Sequence, residues 1–79
     1  MDYFNQQTIE VVSEEIHKIW ISWAEEVQKT EPGLSLNRQK RWEDECFKPY
    51  SELSETMKDL DRKFAIRILT ALYKRKEIL

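Results

Sequence analysis

The residues from which most recognisable sites are built are scarce in this chain. It has a single glycine in 79 residues, Gly33. A phosphate-cradling loop, a dinucleotide fingerprint and a nucleophile elbow all need several glycines at fixed spacing, so none of them can be built here. One cysteine, Cys46, excludes a disulfide framework, and one cysteine with one histidine, His17, excludes a zinc cluster. Strand-rich folds need many turn residues, and one glycine with two prolines supplies few. The uncharged run that starts at Ile19 is far too short for a membrane span, and the acidic start of the chain does not read as a signal peptide. An intracellular protein in a reducing compartment is therefore expected.

What remains is 41% hydrophobic and 35% charged, the balance of one small soluble domain. A core of this size supplies only a few kcal/mol of net stability, which favours help from oligomerisation. Ile9, Val12, Ile16, Ile19, Trp20, Trp23 and Val27 recur at helical spacing and predict a helix over about Gln6 to Lys29. Asn5 or Thr8 can cap it. Glu31-Pro32-Gly33 ends it, with Gly33 expected in a left-handed turn. A shorter helix is expected from Ser35 or Asn37 to about Phe47, with Leu36, Trp42, Cys46 and Phe47 as its apolar stripe; Lys48-Pro49 closes it. A third begins near Ser54-Glu55 and runs to about Lys76, with Met57, Leu60, Phe64, Ile68, Leu69 and Leu72 as its buried face. The expected fold is all-α: two long antiparallel helices with a shorter helix packed across them, in a single domain over residues 1–79.

Charge divides along the chain. Residues 1–36 hold seven acids against two lysines, and residues 37–79 hold eleven bases against eight acids. The plain reading is a solvated surface that complements the helix dipoles. The sharper one is an anion site near Arg38, Lys40 and Arg41, just ahead of Trp42. Duplex nucleic acid is not the expected anion, because a chain of net charge −2 forgoes most of the phosphate-contact energy. Three tryptophans are many for this length. Core packing accounts for some of that, but Trp20 and Trp23 cannot both be fully covered in so thin a domain, so one indole is left to meet a planar ligand or a partner. His17 reads as a structural hydrogen-bonder. Cys46, beside Glu43 and Glu45, lacks the basic setting that activates a thiol, so no enzymatic activity, no cofactor and no metal are expected.

Two stretches resemble a known family. Val11-Val12-Ser13-Glu14-Glu15-Ile16-His17-Lys18-Ile19-Trp20, followed by Trp23-Ala24, is similar to the opening helix of the ryanodine-receptor-type repeat (RyR domain), with its His-x-x-Trp element. Lys48-Pro49-Tyr50-Ser51-Glu52-Leu53-Ser54-Glu55, then Lys58 and Asp61-Arg62, resembles that domain's closing element. Short stand-alone relatives from phages, prophages and bacteria carry an Arg-Trp ahead of the Pro-Tyr, as Arg41-Trp42 does here. The resemblance implies a helical fold, an aromatic-lined site and an adenine-nucleotide-like or other nucleotide-derived ligand. Carried over, the matching positions are His17, Trp20, Tyr50, Lys58, Asp61 and Arg62. Pro49-Tyr50 and Asp61-Arg62 are expected to be architectural in part. The receptor repeats' central Gly-Trp-x-Tyr-Gly is replaced by Lys40-Arg41-Trp42-Glu43-Asp44, which changes the central loop.

The expected function is a non-enzymatic module binding a nucleotide-derived molecule through His17, Trp20, Trp23, Arg38, Lys40, Arg41, Trp42 and Tyr50. In a phage setting it would sequester a host immune signal in the host cytoplasm. The alternative is a helical protein–protein module whose Trp20/Trp23 face forms a homodimer or binds a host protein. A homo-oligomer is expected in either case; a membrane is not.

Overall fold

The structure is a computed structural model that describes residues 5–75. Its elements are α1 (Gln6–Thr30), α2 (Leu36–Glu45), a 3-10 turn (Tyr50–Glu52) and α3 (Glu55–Lys74), with no strand among the described residues. Each helix starts at one of its expected caps, Asn5 rather than Thr8 for α1 and Ser35 rather than Asn37 for α2. The side chains of Asn5, Ser35 and Ser54 accept hydrogen bonds from the backbone N–H groups of Thr8, Arg38 and Met57, each satisfying a donor the helix itself cannot. The expected end of α3 near Lys76 lies outside the described residues.

The break after α1 works differently from expectation. Gly33 does not adopt positive φ. Instead Glu31 caps the helix in an extended conformation, its N–H still bonded to the Val27 carbonyl, and Pro32 prevents continuation. The Leu34 N–H then closes a turn on the Glu31 carbonyl at 3.2 Å.

α1 and α3 pack together. The most completely buried side chains are small: Ser13 and Ala24 of α1 and Ala65 of α3 are completely covered. The Ser13 hydroxyl is satisfied by donating to the Ile9 carbonyl one turn back, at 2.7 Å. Trp42 and Cys46 of the α2 region close over Ala24, with Trp20, Val27, Leu34, Phe47 and Met57 packed around them.

Burial departs from the helical stripes in an instructive way. On α3 only Leu69 of the larger predicted residues is buried, and Met57 is half-buried. Leu60, Phe64, Ile68 and Leu72 remain 42–52% exposed. On α1, Ile19 and Trp23 are exposed while Ser13, His17 and Ala24 take the centre. Leu36 at the start of α2 is 82% exposed and no part of a stripe. The physical reason is close approach: two helices meet most tightly through small residues, and the bulky ones are pushed to the flank. Among the described residues, a layer only 14 Å thick leaves that flank uncovered. Widening the seam is therefore expected to be costly. Ala65→Leu should destabilise by about 1–3 kcal/mol through overpacking, read as a lower midpoint in chemical denaturation, whereas an unchanged midpoint would show that the seam is loose.

Candidate functional site

The two sides of the α1–α3 seam differ in chemistry. One side carries a polar clamp. Arg62 of α3 donates to the Glu10 carboxylate of α1 through Nε at 3.0 Å and Nη2 at 2.6 Å. Its Nη1 reaches Glu55 and Asp59, each at 2.8 Å. Tyr50, buried in the 3-10 turn, donates its hydroxyl to the other Glu10 oxygen. The Lys58 ammonium lies over the Tyr50 ring, 5.7 Å from its centre. The Arg62 hydrogen bond holds the Glu10 carboxyl below its usual range against the opposing effect of burial. Burial first, and then the Glu10 carboxylate, push the Tyr50 phenol up.

His17 sits in the middle of the seam, 4% exposed. Its Nε2 lies 2.7 Å from the Lys48 carbonyl. A carbonyl oxygen can only accept, so this nitrogen must carry the hydrogen. The Nδ1 then faces the Asp61 carboxylate at 3.7 Å. Burial raises the Asp61 pKa and His17 opposes the shift. One imidazole therefore ties α1 to the segment before Pro49 and approaches α3, the structural role expected of it.

The opposite side opens into a cavity of about 460 Å³ between α1, α2 and α3. This is the lower part of the range for small-molecule sites. Trp20 enters from α1, one turn beyond His17, and the two rings stack at 6.2 Å with planes 8° apart. Trp42 enters from α2 and meets Trp20 edge-on at 5.4 Å. Phe47 supports both rings from behind, at 5.7 and 6.1 Å. α3 contributes Met57, Leu60 and Phe64 at three- and four-residue spacing, with Asp61 among them. Arg41 and Glu45, one turn apart on α2, complete the rim. Arg41 makes no ion pair among the described residues, so its five donors are available.

Of the eight residues singled out in the sequence, His17, Trp20, Arg41 and Trp42 line this cavity. Trp42 is nearly covered, Trp20 is half-buried and Trp23 is 57% exposed. Trp23 touches Trp42 at 6.2 Å without lining the cavity. Arg38 and Lys40 are exposed on α2 and also stand away from the wall. Tyr50 belongs to the polar clamp rather than the cavity. Leu60, Phe64 and Glu45 were not singled out as site residues. Glu45 had a readable signal, the four-residue spacing from Arg41. The thiol of Cys46, also in the wall, is pushed up by burial and then by Glu45, as expected of an unreactive cysteine.

Among the described residues no group of three or more His, Cys, Asp or Glu is placed to hold a metal ion, and no helix is long and apolar enough to cross a membrane. No family model, curated protein or solved structure matches this chain.

The clamp makes stability acid-sensitive. Because the Glu10 pKa is lower in the folded chain, its contribution is present above the unfolded value of 4.5 and is lost as pH falls through the folded value. Asp61 acts in the opposite sense, its raised pKa favouring the folded state at low pH. Denaturation midpoints measured from about pH 6 to about pH 3 should fall for the wild type and fall less steeply for Glu10→Gln. Parallel curves would remove Glu10 as the titrating group.

Proposed function

We propose that this protein is a non-enzymatic binding module that holds a small nucleotide-derived molecule in the cavity between its helices. The observation that carries the reading is the Arg41 guanidinium, without an ion pair among the described residues, at the rim of a cavity walled by Trp20, Trp42, Leu60 and Phe64. A planar base lying against the indole wall gains on the order of 1–3 kcal/mol from stacking. The guanidinium pairs with a phosphate in two-point, charge-assisted geometry. Glu45 and Asp61 accept from ribose hydroxyls or an exocyclic amine. Trp23, Arg38 and Lys40 act from the outer edge, and Tyr50 acts only through the clamp.

The resemblance to the ryanodine-receptor-type repeat supports the same ligand class. With it come an antiparallel α1–α3 pair crossed by α2, residence in the cytoplasm and, in a phage setting, sequestration of a host immune signal. The runner-up, a helical protein–protein module, draws its support from the exposed apolar residues of α3.

Tryptophan fluorescence titration with adenosine diphosphate ribose, cyclic dinucleotides and adenosine triphosphate tests the proposal. At least one should quench, and Arg41→Ala should weaken that ligand about ten-fold, equivalent to about 1.4 kcal/mol. Absence of quenching by all of them at high micromolar ligand would overturn the reading.

A further inference from the structure

Helical spacing extends the cavity side of the seam into one apolar face. Trp20, Leu60 and Phe64 line the cavity. Trp23 lies three residues beyond Trp20, while Ile68 and Leu72 lie one and two turns beyond Phe64, so they continue the same side. The polar clamp of Glu10, Tyr50 and Arg62 occupies the other. Trp23 is 57% exposed, and Leu60, Phe64, Ile68 and Leu72 are 52, 50, 45 and 42% exposed. With aromatic side chains covering about 150–250 Å² each and the aliphatic ones less, half exposure of these five amounts to about 450 Å². That is within the range for the largest patch on an ordinary monomer and over half of the ~800 Å² each partner contributes to a stable interface.

The charges flanking the face favour a particular occupant. Beyond the apolar residues of α1, the helical positions of Glu15 and Glu26 form an acidic edge. Beyond those of α3, Lys63, Arg67 and Lys74 form a basic edge. None of these three bases is ion-paired among the described residues, and neither is Glu26; Glu15 meets only the exposed Lys18. α1 as a whole carries five carboxylates against two lysines, and α3 five bases against three acids. The face is thus apolar in the middle, acidic along one edge and basic along the other, which is self-complementary.

We infer that this face docks a second copy of the chain. A two-fold axis parallel to the helices sets α1 of one copy over α3 of the other, bringing acidic edge to basic edge. The alternative axis, across the helices, stacks α1 on α1 and sets acid against acid. The assembly is built on four long helices, which sets a second layer against the 14 Å layer formed by the described residues. Because Leu60 and Phe64 stand on this face, the second copy also roofs the cavity. Docking is independent of the ligand reading, since it is measured with no ligand present.

Sedimentation equilibrium on the full chain tests it. At about 100 μM, a concentration at which a complex of micromolar Kd is mostly associated, the expected mass is twice 9.6 kDa. Phe64→Asp combined with Ile68→Asp changes only half-exposed positions and should give a folded single chain, its helicity checked by circular dichroism. Lys63→Glu with Arg67→Glu should weaken association at least about ten-fold. A wild-type monomer at this concentration, or a wild-type dimer that persists in the Phe64/Ile68 variant, overturns the proposal; a charge-reversed chain that associates as tightly as wild type overturns the edge-to-edge arrangement.

Discussion

The carboxylate of Glu10 is the constraint on which the geometry depends. It joins three parts of the chain, receiving the guanidinium of Arg62 from α3 and the hydroxyl of Tyr50 from the 3-10 turn. Held at one oxygen by Arg62 and at the other by Tyr50, the carboxylate restrains the rotation of the two long helices about their axes as well as their separation. His17, bonded to the Lys48 carbonyl, adds a second point on the same seam. With the rotation fixed, the small residues Ser13, Ala24 and Ala65 must face inward, and the bulky apolar residues of α3 must remain on the flank. The apolar face follows from the polar clamp.

The same constraint shapes the cavity. Trp20 is positioned by its place one turn after His17, and Trp42 by the cap and length of α2. Phe47 leans on both indoles, so the rings form a supported wall. Arg41 stands on the residue before the buried Trp42 and is exposed beside it. A guanidinium next to an indole wall follows from local helical geometry once Trp42 is anchored.

Helix number, approximate bounds and caps were legible in the sequence, because Asn5, Ser35, Ser54, Pro32 and Pro49 act locally. That His17 makes a structural hydrogen bond was legible too, since a lone histidine beside an aromatic face needs a partner. The buried faces were less so. Periodicity identifies the apolar stripe but cannot say which edge of it touches the neighbouring helix, and that choice rests on contacts between residues far apart, such as Glu10 with Arg62. Leu36 misled because propensity and capping alone place it in α2, with no neighbour there to cover it. Arg38 and Lys40 belonged to the same basic cluster as Arg41, yet only Arg41 falls on the cavity side of the helix. Tyr50 was singled out by resemblance, and its neighbours make it part of the clamp.

The central claim is that the indole wall beside Arg41 is a place where a planar anion rests. Mapping the three indole N–H signals by heteronuclear magnetic resonance while adding adenosine diphosphate ribose, a cyclic dinucleotide or adenosine triphosphate addresses it most directly. The account predicts saturable shifts of the Trp20 and Trp42 signals, together with the Arg41 side chain, for at least one of these ligands. Saturable shifts confined to Trp23, or unmoved signals at Trp20 and Trp42 throughout, would contradict it.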